Sequence, residues 1–368
     1  MNPFKYGCVV GGDYFCPRPL MEKELRRLIE AGQNIVVQGE RRMGKTSLVC
    51  EAVRTTRGLK LLYVDLFGVR SISEFCRKTT SAVAALNRRR SFLSRAADLI
   101  HRLRPTLTID TITGSPTLSV DMQTASTIES LEDVLDMISV LAREERLCVV
   151  FDEFQDMLNV ENANGVLATM RGKIQFQPDT PYIFLGSIRN QMRELFSDSR
   201  SPFYKSAALF DVGRIEDKPF IDFLIRRFKC GKRTANASTL MRVLEIADRV
   251  SGDVQELCDA LWASTDENAI LTEGDIARAL DLVFARESKA YPPIISQLTA
   301  IQLRVLRGIA EHGGQKTLSG EFLRAVNVPN AGSVRKAILR MVELDILYVY
   351  ENGYKFSNPF FAAWIKRT

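Results

Sequence analysis

Four short apolar runs punctuate the first half of the chain: Asn34–Gln38 (NIVVQ), Leu59–Leu66 (LKLLYVDL), Leu147–Phe151 (LCVVF) and Pro181–Ser187 (PYIFLGS). Runs of this length, apolar without alternation, are the pattern of strands covered on both faces, as in a parallel sheet. A weaker fifth run is Ala208–Ile215. Helical spacing separates them over Met21–Glu30, Lys45–Arg57, Ile72–Leu103, Ile128–Arg146, Asn164–Ile174 and Arg189–Phe196. Strands alternating with helices predict an open parallel sheet with helical crossovers. One segment breaks the alternation. Thr106–Met122 places apolar residues at near period two on both sides of Gly114-Ser115-Pro116, which predicts a β-hairpin inserted over about residues 105–123. Its expected role is edge packing, the alternative being a partner or DNA contact.

After Ile215 the pattern is helical only, over Asp217–Cys230, Thr239–Val250, Asp253–Ser264 and Glu273–Ser288. Tyr291-Pro292-Pro293 then reads as a linker. Beyond it come three helical segments, Ala300–Glu311, Ser319–Ala325 and Gly332–Leu344, and a hairpin over Leu347–Phe356 with Asn352-Gly353 as its turn. That is the element order of a winged helix-turn-helix. The expected organisation is therefore an α/β core over 1–215, a helical lid over 216–290 and a winged helix over 291–368.

Composition narrows the chemistry. Of 368 residues, only two are histidine, His101 and His312, and none of the seven cysteines forms a CxxC pair. Zinc sites of the usual kind and His-based acid–base or triad catalysis are thereby disfavoured. No apolar run reaches the roughly 18–20 residues of a membrane helix. The opening MNPFKYGCVVGGDYF lacks the basic and apolar regions of a signal peptide, so the expectation is a cytoplasmic protein with no membrane partner. The net charge of +6 is mild but unevenly placed: from Ser296 onward there are ten Lys and Arg against five Asp and Glu. A basic C-terminal domain suits a nucleic-acid surface and equally a solvated face.

Gly39–Thr46 reads GERRMGKT, the pattern G-x-x-x-x-G-K-T, between a predicted strand and a predicted helix. In that context the loop Gly39, Glu40, Arg41, Arg42, Met43, Gly44, Lys45, Thr46 and Ser47 is expected to wrap the phosphates of ATP or ADP. Backbone amides and the helix N-terminus do the binding, Lys45 reaches the β- and γ-phosphates, and Thr46 ligates Mg²⁺. The run LCVVFDE ends a strand on two acids. Asp152 is expected to hold Mg²⁺ through its water shell, and Glu153 to polarise the attacking water.

The run Tyr14–Leu48, with Tyr63-Val64-Asp65-Leu66, Phe151-Asp152-Glu153-Phe154-Gln155, Gly186-Ser187 and the ending YKFSNPFFAAW, resembles the archaeal-type ATPases, a branch of the AAA+/STAND P-loop ATPases. The opening departs from that family's pattern by proline at Pro17, and the ending by Asn358. The resemblance spans essentially the whole chain. It implies a P-loop NTPase core of the additional-strand class, a helical lid and a C-terminal winged helix. It makes Phe15, Pro17 and Arg18 candidates for the adenine edge, with Phe15 alternatively an apolar anchor. It places Ser187 and Arg189 at the sensor position, Arg189 alternatively being a solvated helix-start charge. Arg200 falls where AAA+ proteins carry a trans-acting arginine finger, or is a loop arginine; Lys205 is a second candidate. Gln255 stands about where Orc-type lids carry a sensor arginine, a departure that favours a slow switch over a fast motor.

In the winged helix, Val334, Ile338 and Met341 form the core stripe, and Arg335, Lys336 and Arg340 lie near the polar side with Ser333, with Lys355 in the wing. These residues would meet duplex DNA, or form a solvated face on a docking module. The expectation is a Mg²⁺-dependent, slow ATPase acting as a molecular switch, with self-association on ATP binding. The alternative is a nucleotide-stabilised scaffold or DNA-binding regulator with negligible turnover.

Overall fold

The structure, a computed structural model, describes residues 2–86, 105–109, 116–120, 127–187 and 189–367. The chain divides into two compact units, one of residues 9–213 and one of residues 1–8 with 214–368. Among the described residues no helix is long and apolar enough to cross a membrane. The part of the predicted helix beyond Leu86, including the arginine run 88–90, lies outside the described residues.

Unit 9–213 is built on a parallel sheet of five strands: β1 (Ile35–Gln38), β2 (Lys60–Asp65), β5 (Leu147–Asp152), β6 (Tyr182–Gly186) and β7 (Ala208–Asp211), in the order β2-β5-β6-β1-β7. The four apolar runs and the weaker fifth are these strands. β1, β5 and β6 are buried at every position, as strands covered on both faces must be. Strand β6 sits between β1 and β5, which is the additional strand the sequence implied. The registers Gln38↔Gly186 and Asp65↔Asp152 bring the C-terminal ends of these strands to one level. In open parallel sheets that end, at a switch in strand order, is where ligands bind. The inserted hairpin is present as β3 (Pro105–Ile109) and β4 (Pro116–Val120), paired antiparallel apart from the main sheet.

Helix α1 (Pro19–Glu30) precedes β1, and α2 (Lys45–Thr55), α3 (Ile72–Leu86), α4 (Ile128–Glu144), α5 (Ala163–Ile174) and α6 (Arg189–Ser197) lie between successive strands. One core cluster is aromatic at its centre. Phe154 meets Phe184 at 4.6 Å and Phe203 at 5.5 Å between ring centroids, and Phe184 meets Phe196 at 5.2 Å. Phe151 and Phe154 are fully buried, so the two acids between them are fixed from both sides.

In the second unit, α7 (Asp217–Cys230), α8 (Ala237–Ile246), α9 (Ser251–Ala263) and α10 (Glu273–Glu287) match the helical segments read from the sequence. Residues 2–8 belong here and not with the core. Phe4 is buried against Phe228 at 4.5 Å, and Arg227 bonds the Pro3 carbonyl through Nε at 2.9 Å. Tyr291-Pro292-Pro293 forms the start of a short helix, α11 (Tyr291–Ser296), and not an open linker. Two prolines are tolerated in a first helical turn, and Tyr291 is buried against Phe361 and Trp364.

The helices α12 (Ala300–His312), α13 (Gly320–Ala325) and α14 (Ala331–Glu343), the hairpin β8 (Leu347–Tyr350) and β9 (Gly353–Phe356), and α15 (Pro359–Ile365) complete the chain. Val334, Ile338 and Met341 are buried, as their spacing predicted. The wing turn differs by one residue. Tyr350 pairs with Gly353, so the turn is Glu351-Asn352, with Glu351 left-handed. Gly353 serves close approach: a Cβ there would lie 2.7 Å from the Gly314 carbonyl oxygen. Gly314 accepts from the Tyr354 amide at 3.0 Å, beside the antiparallel bridge between Gln315 and Gly353. A Cβ on Gly314 would overlap the Tyr354 carbonyl. Gly314→Ala is therefore expected to lower stability by about 1–3 kcal/mol, the scale of overpacking, read by denaturant or thermal unfolding. Unchanged stability would show that the wing does not need this contact.

Candidate functional site

The phosphate loop leaves β1 and enters α2. Two conformations shape it: Arg42 at φ 63 and Gly44 at φ 80 are left-handed. Left-handed residues in a short turn are how backbone amides come to line a concave, anion-binding nest. Gly39 is required for a further reason. A Cβ there would lie 2.5 Å from the Val212 carbonyl, where the continuation of β7 runs beside the loop. Met43 is buried and anchors the tip, while Arg41 and Arg42 are exposed.

Lys45, the first residue of α2, is buried, and its ammonium donates to the carbonyls of Gly39 at 3.1 Å and Glu40 at 2.9 Å. Thr46 donates its hydroxyl to Asp152 Oδ2 at 2.8 Å, joining the loop helix to the end of β5. Tyr63 on β2 donates to the same oxygen at 2.7 Å. Burial, and then the neighbouring Asp152 carboxylate, push the Tyr63 phenol well above its ordinary range, so it stays a donor. The other oxygen, Oδ1, accepts the Glu153 amide at 2.9 Å. Sequence alone gives Tyr63 no role beyond its place in the run Tyr63-Val64-Asp65-Leu66: inside LKLLYVDL it reads as one more strand residue.

Glu153 is left-handed, at φ 51, between two buried phenylalanines. Such a conformation is unfavourable for a residue with a Cβ and persists only when its surroundings enforce it. Its carboxylate accepts from the Ser187 hydroxyl at 3.0 Å, so the predicted sensor and the predicted base meet at the ends of β6 and β5. Arg189 opens α6; its side chain lies outside the described residues.

Arg18 is buried and donates to the Met43 carbonyl at 2.5 Å and the Gly213 carbonyl at 2.9 Å. Burial lowers its pKa to about 10, so the guanidinium remains charged near neutrality. It braces the phosphate loop from behind. Phe15 is also buried, whereas Pro17 is exposed. Ser47 accepts the Val10 amide at 3.1 Å, which lays the segment before Phe15 along the loop helix.

The remaining candidates have surroundings of their own. Arg200 is exposed and clamped to Asp198, with Nη2 at 2.7 Å from Oδ2 and Nε at 3.1 Å from Oδ1. Lys205 sits over the Tyr204 ring at 5.3 Å. In the second unit Gln255 is half-buried in α9. Arg335, Lys336 and Arg340 are exposed on α14, Arg340 pairing with Glu343 at 2.9 Å. Lys355 is not presented by the wing as a lone charge. Its ammonium bonds both oxygens of Asp248 at 2.8 Å, and Asp248 also pairs with Arg214 at 2.7 Å.

The donor set suits magnesium held jointly with phosphate. Among the described residues no group of three His, Cys, Asp or Glu side chains converges to hold a metal unaided. One carboxylate and one hydroxyl, both oxygen, do converge at Asp152 and Thr46. Mg²⁺ is commonly bound by one or two carboxylates together with substrate phosphates. Removing the ammonium tests the loop. Lys45→Ala is expected to weaken ATP affinity by about tenfold to a hundredfold, the scale of a lost charged hydrogen bond, as measured by calorimetry. Affinity equal to wild type would remove the loop from the binding site.

Comparison with known proteins bears on the fold. Residues 289–367 match the family described as "Probable winged helix domain". No curated protein matches the chain. Among solved structures, a Walker-type ATPase of Pyrococcus abyssi is similar at a TM-score of 0.64 and 17% identity, over 96% of this chain and 97% of that one. The ORC2 protein of Aeropyrum pernix, in ADPNP–ADP complexes, is similar at 0.56 and 14%, over 99% and 96%. The ORC1 protein of the same organism, in complex with DNA, is similar at 0.52 and 14%, over 96% and 94%. The chain thus has the fold of the archaeal Walker-type and ORC P-loop ATPases, closed at its C-terminus by a winged helix domain.

Proposed function

We propose that this protein binds Mg²⁺–ATP at the Gly39–Ser47 loop, hydrolyses it slowly, and relays its nucleotide state to a winged helix that meets duplex DNA. The observation that carries the reading is the convergence of Lys45, Thr46, Asp152, Glu153 and Ser187 at the C-terminal ends of three adjacent parallel strands. Lys45 exchanges its loop carbonyls for phosphate oxygens. Asp152 and Thr46 would hold the metal, whose charge would offset that of the phosphate oxygens. Glu153 accepts the proton of the attacking water, and Ser187 orients its carboxylate.

Coupling is supported by where the chain passes between its two units. Val10, just after the passage at Cys8–Val9, bonds Ser47 of the loop helix. Gly213, just before the passage at Gly213–Arg214, is tied by Arg18 to Met43 of the loop. On the far side, Arg214 pairs with Asp248, which pairs with Lys355 of the wing. A loop rearranged by nucleotide therefore acts on both covalent passages. Half-buried Gln255 in the lid favours slow turnover.

Glu153→Gln keeps the shape and removes the base. ATP binding is expected to persist while phosphate release falls by about a hundredfold or more, the usual scale of general-base loss. Normal turnover in that variant would place water activation elsewhere. For the DNA contact, Ala at Arg335, Lys336 and Arg340 is expected to weaken duplex binding and to flatten the slope of log affinity against log salt by up to about three units, with ATP affinity unchanged. If the wild type binds no duplex at low salt, with or without ATP, the winged helix is a protein-docking module.

A further inference from the structure

The structure assigns to Gln155 the task of fixing the Glu153 carboxylate, as a positioning residue that does not itself touch substrate; the assignment rests on the ATPase reading above. Gln155 lies in the 3₁₀ turn Phe154–Asn159 that follows Glu153, and it is 2% exposed. Its amide nitrogen donates to Glu153 Oε2 at 2.5 Å. Ser187 donates to the same oxygen at 3.0 Å and stands 3.4 Å from Oε1. A carboxylate only accepts, so the amide must present its nitrogen here and turn its oxygen away. Two donors from different elements thus converge on Oε2, which pins the carboxylate rotamer. Oε1 is then the oxygen presented for the proton of the attacking water.

A purely structural role explains Gln155 poorly. Among the described residues its buried Oε1 has no hydrogen-bond partner. A buried, unpartnered amide oxygen costs on the order of 1–3 kcal/mol, and an isosteric apolar side chain would avoid that cost. The surroundings nonetheless make room for the amide. At Gly186, the last residue of β6, a Cβ would lie 2.3 Å from Met192 Sδ and 2.7 Å from that oxygen, so the glycine admits both side chains. Beside it, Glu153 is held left-handed between Phe151 and Phe154. An orphaned polar atom next to a strained backbone is the signature of a position retained for function at some expense of stability.

The test uses the full chain and three readouts: thermal unfolding, ATP affinity by calorimetry, and single-turnover phosphate release. Gln155→Met preserves volume and removes both the donor and the orphaned oxygen. The expected result is an equal or higher Tm, ATP affinity within about twofold of wild type, and a kcat lowered about tenfold to a hundredfold, the scale of a mispositioned group. In a Glu153→Gln background the same substitution should change turnover no further, because the two residues act through one carboxylate. Wild-type kcat in Gln155→Met would overturn the assignment. So would a Gln155→Met chain that fails to fold or loses Tm, or a loss of turnover that adds in full to that of Glu153→Gln; each makes the residue a packing element. A wild type with no turnover at all would instead overturn the ATPase reading, and this role with it.

Discussion

One hydrogen bond ties the candidate site to the fold: Thr46 Oγ1 to Asp152 Oδ2, between residues 106 apart in sequence. It exists because β6 pairs with β1 on one side and β5 on the other, which levels the phosphate loop with the end of β5. Everything else at the site hangs on that juxtaposition. Tyr63 completes the Asp152 carboxylate from β2, and Glu153 follows in the only direction its left-handed backbone allows. Ser187 reaches it from the strand between. A parallel sheet is needed for this, since only parallel neighbours bring several C-terminal strand ends to one side.

Rigidity at the acid pair comes from packing. Phe151, Phe154, Phe184, Phe196 and Phe203 form a continuous ring cluster under the site, and Phe151 and Phe154 flank the acids directly. Tilted and edge-on aromatic contacts fix ring orientation more tightly than aliphatic packing does. The cluster thereby enforces the backbone geometry of Glu153 that an isolated turn would avoid.

Much of this was legible in the sequence. The four apolar runs are strands, the glycine loop lies between a strand and a helix, and the acid pair ends β5. Local pattern suffices for such features, because hydrophobic period and loop chemistry are properties of neighbouring residues. What escaped is long-range or depends on a single contact. Nothing near Arg18 announces that its guanidinium spans carbonyls 25 and 195 residues away. Tyr63 and Gln155 belong to runs that carry the family resemblance, but no local pattern shows that the fold sets them against carboxylates. Turn chemistry alone points to Asn352-Gly353 as the wing turn, but Gly353 serves the approach of Gly314 and the turn is Glu351-Asn352. Nothing near Lys355 announces its pairing with Asp248, 107 residues earlier. Residues 2–8 carry no signal that they pack on Phe228 and not on the core.

The central claim is that the strand-end constellation is a Mg²⁺-dependent ATP-hydrolysing site. Its most direct test is the release of inorganic phosphate from ATP by the purified full chain, with Mg²⁺ and with chelator, in the presence and absence of duplex DNA. Slow turnover that requires Mg²⁺, and whose rate responds to duplex, is the result predicted here. Phosphate release no faster than that of ATP alone, at nucleotide concentrations that saturate binding, would contradict it.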